Sequence, residues 1–313
     1  MKNTVLVLGR NQEKYRTILS EMRLPDLEIF TPDTEEQILE ILPKANILLA
    51  NPPIACRYIN NASNLTWMQS TFTGVDLMIS DKLRSDYLLT NVKDAYGDAM
   101  AEYIFAYILM FEKEVLENIE AQDKKYWAQK PFFSLKGKVL GIMGTGSIGT
   151  HIAMVGKAFQ MTVLGFNTSG KAGANFDITY SAANKTEFFN QCDFLVSVLP
   201  STSATKQIIS KTAFEQMKQS CVFINVGRGD VLNEADLILA LKNNQIKAAV
   251  LDVFEKEPLP PEHSFWHTPN LYLTPHVSGY VVSEQIFEIF KQNYYRFISG
   301  QQLLFQVDFQ KGY

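Results

Sequence analysis

The segment Val139-Leu140-Gly141-Ile142-Met143-Gly144-Thr145-Gly146-Ser147-Ile148-Gly149 constrains this chain more than any other stretch. An apolar run of strand length meets three glycines spaced GxGxxG, and a helical pattern over Ser147–Phe159 follows. Gly144 permits a tight turn, Gly146 lets the backbone approach a pyrophosphate, and Gly149 lets helix pack on strand. The amides of Ser147 and Ile148, just after Thr145 in the turn, then stand at a helix N-terminus, where partial positive charge favours phosphate. A lone glycine-rich turn is weak evidence, because plain βα turns use glycine too. Here five further strand-like runs follow: Thr162–Phe166, Phe194–Leu199, Val222–Val226, Ala248–Val253 and Leu271–Thr274. Helical patterns at Lys211–Met217 and Glu234–Leu241 lie between them. Six strands in that alternation predict a doubly wound parallel sheet that binds a dinucleotide.

A second series precedes it. Val5–Leu8, Asn46–Ala50, Thr66–Ser70 and Leu88–Asn91 read as strands, with an amphipathic stretch at Glu35–Leu42. Between the series, Ala101, Ile104, Phe105, Ile108, Phe111, Val115 and Ile119 recur at helical spacing, predicting one long helix over Asp98–Ala121. Another helix is expected over Ser283–Ile298. A length of 313 residues suits about two domains. The expected division is 1–97 plus 284–313, a flavodoxin-like substrate domain, with 98–283 inserted as a Rossmann cofactor domain.

Composition narrows the function classes. The chain is 46% hydrophobic and 20% charged with a formal net charge of −4, ordinary for a globular protein and without the basic footprint of nucleic-acid binding. The longest apolar run, Tyr103–Phe111, is about half of what a membrane-spanning helix needs. Cys56, Cys192 and Cys221 cannot all pair and show no CxxC spacing, and no signal peptide is evident. A cytoplasmic protein is expected. His263 and His267 have a spacing that could share a helical face, but Pro258, Pro260, Pro261 and Pro269 surround them. No metal is expected.

The strand Thr162–Phe166 leads into Asn167-Thr168-Ser169-Gly170-Lys171, where a dinucleotide fold reads the adenosine ribose. A carboxylate there would bind a 2′-hydroxyl and repel a 2′-phosphate. Amide and hydroxyl donors with one cation favour NADP over NAD, against the plainer reading of a polar turn.

Three ionisable residues stand just beyond the last strands: Arg228, Glu257 and His276. In an open α/β sheet, ligands bind outside the carboxyl ends of the strands. Reduction of a keto group needs a proton donor, and histidine serves near neutral pH. A neighbouring carboxylate keeps the imidazole protonated, and an arginine can hold a planar carboxylate by two hydrogen bonds. Each residue alone has a bland reading, a structural histidine or a solvated charge; their joint order after a nucleotide-binding turn points to catalysis.

At these motifs the sequence resembles the D-isomer-specific 2-hydroxyacid dehydrogenases, over nearly the whole chain. The resemblance rests on Gly144–Gly149, Leu199-Pro200-Ser201-Thr202 with Thr205, Asn225-Val226-Gly227-Arg228-Gly229, Asp252 through Pro260, and Thr274-Pro275-His276. It implies that Arg228 binds substrate, His276 is the acid/base and Glu257 its partner. Asp252 would meet the nicotinamide carboxamide, and Leu199, Pro200, Thr205, Val226, Gly227 and Gly279 would border the cofactor. Ser70–Asp76 looks like the family's substrate-carboxylate loop, with the amides near Thr73 and Gly74 holding the acid. Phe72 and Tyr280 are candidates for the pocket wall, and Val307-Asp308 with Gly312-Tyr313 looks like the family's closing tail. Trp127 and the Trp266–His276 loop look like the glyoxylate and hydroxypyruvate reductase branch. The resemblance further implies a homodimer through Asp98–Pro131. An alternative of another class is a dinucleotide-sensing scaffold, as in the corepressors that share this fold.

Overall fold

Four- and five-residue apolar runs, closed off by polar turns, form the central strands of two sheets. In a computed structural model, residues 2–9, 12–93, 95–127, 129–279 and 284–310 are described. Tyr280, Ser283, Gly312 and Tyr313 lie outside the described residues. The chain divides into two compact units, Met1–Ala95 with Val282–Tyr313, and Tyr96–Val281.

The first unit holds β1 (Asn3–Leu8), β2 (Leu27–Phe30), β3 (Ile47–Ala50), β4 (Trp67–Ser70) and β5 (Leu88–Thr90), in the order β2-β1-β3-β4-β5. All four pairings are parallel, and the order is that of a flavodoxin-like sheet. Val5–Leu8 and Ile47–Ala50 are fully buried, as continuous apolar strands covered on both faces should be. The helix Glu284–Ile298 covers the sheet, with Phe290 stacked on Trp67 at 5.2 Å between ring centres. The tail then runs antiparallel to β5, Val307 N–H donating to Leu89 O and Asn91 N–H to Phe305 O.

The second unit holds β6 (Val139–Met143), β7 (Thr162–Phe166), β8 (Ile178–Tyr180), β9 (Phe194–Ser197), β10 (Val222–Asn225), β11 (Ala248–Leu251) and β12 (Leu271–Leu273). Their order is β12-β11-β10-β9-β6-β7-β8, again with parallel pairings. The direction of winding reverses between β6 and β9, and this switch point is where doubly wound sheets bind ligands. Both units are therefore doubly wound α/β sheets, the class expected from sequence.

Four elements differ from expectation. The edge strands β2 and β8 were not anticipated. The helix expected over Asp98–Ala121 is two helices, Gly97–Glu112 and Val115–Asp123, because Glu114 adopts a left-handed backbone (φ 47°) that ends the first. Lys211–Met217 is helical only over Lys211–Phe214. Among the described residues, no helix is long and apolar enough to cross a membrane.

Candidate active site

The glycine turn joins β6 to the helix Ser147–Ala158. Gly144 has φ +102°, and its amide bonds Phe166 O at 2.9 Å, tying the turn to β7. A Cβ on Gly149 would collide with Gly144 O, so only glycine lets the helix start this close to the strand. At Gly146, by contrast, a Cβ would meet nothing within 4 Å. That open flank, beside a helix start that Gly146 cannot cap with a side chain, fits a pyrophosphate.

Beyond β7, Asn167 organises the next loop. Its Oδ1 accepts from Ser169 N, Ser169 Oγ and Gly170 N, and its Nδ2 donates to Thr145 Oγ1 (2.8 Å) and Lys171 O. Both amide protons are thus engaged within the protein. Thr168, Ser169 and Lys171 are left exposed, and no carboxylate stands among them. After β9, Leu199 turns its side chain into the core and Pro200 is exposed. Thr205 braces that turn, its hydroxyl donating to Pro200 O at 2.6 Å.

Arg228, Glu257 and His276 stand beyond the carboxyl ends of β10, β11 and β12, three adjacent strands. Asn225, buried at the end of β10, fixes the arginine: its Nδ2 donates to Arg228 O (2.9 Å) and its Oδ1 accepts from Gly227 N. The Arg228 Nη1 donates to Gly227 O at 2.8 Å. A Cβ on Gly227 would lie 2.6 Å from Leu199 O, and one on Gly229 would collide with the Phe254 carbonyl. The two glycines thus let the arginine turn nest between the loops that follow β9 and β11. Val226 is buried beneath it.

Glu257 Oε2 lies 2.7 Å from His276 Nδ1, and Glu257 Oε1 accepts from Phe254 N. A carboxylate accepts, so Nδ1 carries the proton and Nε2 is the nitrogen left for a reacting group. The hydrogen bond to Glu257 raises the His276 pKa above the ordinary histidine value; burial and the Arg228 charge oppose it, while the charges of Glu257 and Asp252 assist. Burial alone would raise Glu257, but its bonds to His276 and the Phe254 amide, with the charges of His276 and Arg228, hold it below the usual range. Both shifts favour the charged forms, an imidazolium against a carboxylate.

Asp252, fully buried, accepts at Oδ1 from Thr274 Oγ1 (2.6 Å) and Val277 N (2.8 Å), and at Oδ2 from Ser278 N (2.9 Å). Both oxygens are engaged by the turn that carries His276, so Asp252 holds that turn. Gly279 follows, against Met100 and Tyr96. Asn225 and Thr274 were not singled out as site residues from sequence. The signal for the first was present: a polar residue ending the otherwise apolar Val222-Phe223-Ile224 run.

In the first unit, Thr73 and Gly74 follow β4 and are partly buried. Ser70 Oγ donates to Phe72 O, Thr71 Oγ1 to Asn51 Oδ1, and Asn91 Nδ2 to Thr73 O at 2.9 Å. His263 Nδ1 accepts from Phe265 N and its Nε2 faces Glu234 Oε2 at 3.2 Å. Among the described residues no group of three or more potential metal ligands occurs.

Comparisons with known proteins bear on this geometry. A family model described as D-isomer specific 2-hydroxyacid dehydrogenase, NAD binding domain, matches residues 105–278. A solved D-isomer specific 2-hydroxyacid dehydrogenase family protein from Aeromonas salmonicida is 40% identical, with TM-score 0.95 over 99% of this chain and 100% of that one. An NADPH-dependent glyoxylate/hydroxypyruvate reductase from Sinorhizobium meliloti, solved with NADP and sulfate, is 28% identical, with TM-score 0.89 and full coverage of both chains (100% and 100%). A glyoxylate reductase of Aeropyrum pernix is 29% identical over 81% of this chain and 80% of its own length.

Proposed function

The chain belongs to the D-isomer specific 2-hydroxyacid dehydrogenase family, a family of NAD(P)-dependent oxidoreductases, and we propose that it reduces small 2-keto acids, glyoxylate and hydroxypyruvate foremost, to D-2-hydroxy acids with NADPH. The observation that carries this reading is the His276–Glu257 pair, 2.7 Å apart on the strand ends beside Arg228. Bound NADPH supplies the hydride. His276 gives a proton from Nε2 to the carbonyl oxygen as negative charge develops there. Glu257 holds the imidazole in the donating tautomer and stabilises its charge. Arg228 binds the substrate carboxylate and polarises the adjacent carbonyl.

The dinucleotide's pyrophosphate is assigned to the amides of Gly146, Ser147 and Ile148, and the open flank at Gly146 supports that assignment. Selection of NADPH is assigned to Thr168, Ser169 and Lys171, exposed after β7 where a carboxylate would repel a 2′-phosphate. The NADP in the Sinorhizobium meliloti reductase supports that choice. Asn167, Thr205 and Asp252 shape the loops that line the cofactor, and Val226 and Gly227 form part of their floor.

Steady-state assays with glyoxylate, hydroxypyruvate, pyruvate and a branched keto acid, each with NADH and NADPH, test the proposal. Turnover of the two smallest acids, faster with NADPH, is expected. Activity on none of the four would overturn the reading in favour of a dinucleotide-sensing scaffold.

A further inference from the structure

The turn that carries His276 is held from a second element. Tyr103, on the helix Gly97–Glu112, places its hydroxyl 2.6 Å from Thr274 Oγ1. Thr274 has one hydroxyl proton, which it donates to Asp252 Oδ1, so toward Tyr103 it can only accept. The chain of donation therefore runs Tyr103 to Thr274 to Asp252. Asp252 in turn takes the amides of Val277 and Ser278, the two residues after the histidine. His276, just before them, adopts a left-handed backbone, φ 56°, which a residue with a Cβ keeps only when its surroundings impose it.

We propose that Tyr103 is a positioning residue for the reduction: through Thr274 and Asp252 its hydroxyl fixes the turn that aims His276. The inference rests on the reductase reading. Tyr103 never touches the reacting atoms. It anchors the Thr274 hydroxyl, which leaves that hydroxyl one orientation, aimed at Asp252. Burial raises the Tyr103 pKa, so the phenol keeps its proton and remains a donor. Among the described residues, three charged groups face the imidazole: Glu257 in the loop after β11, Asp252 at the end of β11, and Arg228 after β10. Without the tether the Thr274 hydroxyl is free to rotate away from Asp252, the turn is held less tightly, and the bond to Glu257 that raises the His276 pKa weakens.

Tyr103→Phe keeps the ring and deletes the donor, and Thr274→Val removes the next link. Ring resonances of His276, assigned with a His276→Gln variant, give its titration by NMR without any turnover. In Tyr103→Phe the His276 pKa should fall by about half a unit toward the ordinary histidine value. With glyoxylate and NADPH, kcat should fall about fivefold, a modest hydrogen-bond effect, with KM changed less than about twofold. The double variant should lose no more than Thr274→Val alone, as members of one chain must. An unchanged titration in a Tyr103→Phe protein of normal melting temperature would overturn the proposal, and so would additive losses in the double variant. Absence of turnover in the unmodified protein would instead count against the reductase reading and leave the titration to decide the role of Tyr103.

Discussion

His276 Nδ1 and Glu257 Oε2, 2.7 Å apart, set the pH behaviour of this site. The His276 pKa is raised, chiefly by that hydrogen bond, so the imidazolium persists to higher pH than in an ordinary histidine. In the proposed reaction, reduction requires the protonated form. Its kcat/KM should fall as pH rises through the raised pKa, while oxidation of the hydroxy acid should rise over the same interval. Glu257 is lowered, so its charge survives through the neutral range and is lost only in acid. Glu257→Gln removes the charge and keeps the shape. The alkaline fall of reduction should then move to lower pH by about one unit, as loss of a paired charge predicts. A pH–rate profile of the variant that matched the unmodified protein would contradict the pairing. At this scale the sequence was informative: Arg228, Glu257 and His276 could be named because strand-end loops carry ligand chemistry. The Asp252 clamp and the Tyr103 link could not, since residues 252 and 274–278 meet only when β11 and β12 pair.

Among the elements, the loops after β9, β10 and β11 interlock through glycine. Gly229 lies so near the Phe254 carbonyl that any Cβ displaces one of the two turns. Gly229→Ala should cost about 2 kcal/mol of stability, the usual order for overpacking a rigid contact, and should lower turnover by moving Arg228 against Glu257. Urea denaturation followed by tyrosine and tryptophan fluorescence measures the first effect; an unshifted midpoint would show that the turns can part. Central strands were legible because Val5–Leu8, Ile47–Ala50 and Val222–Ile224 are uninterrupted buried apolar runs. The edge strands were not. Leu27–Phe30 is only half-buried and Ile178–Tyr180 spans three residues with Ile178 exposed, so neither carries a core pattern. The helix break at Glu114 was hidden for a related reason. Val115 and Ile119 continue the apolar spacing, yet both are exposed in the structure and so report no buried face.

For the molecule as a whole, the order of elements along the chain organises the chemistry. The unit Tyr96–Val281 contains the glycine turn, the loop after β7, and all three of Arg228, Glu257 and His276. The unit built from Met1–Ala95 and Val282–Tyr313 contains the Thr73–Gly74 loop. Dinucleotide binding and proton donation are thus assigned to one unit and can be separated by mutation. His276→Gln keeps a polar side chain at the turn but cannot act as the acid. With glyoxylate and NADPH, this variant should lose turnover by roughly 10²–10⁴-fold, the usual contribution of a general acid, while NADPH titrated by its fluorescence binds within about twofold of the unmodified protein. Turnover that survives the substitution at full rate would contradict the account.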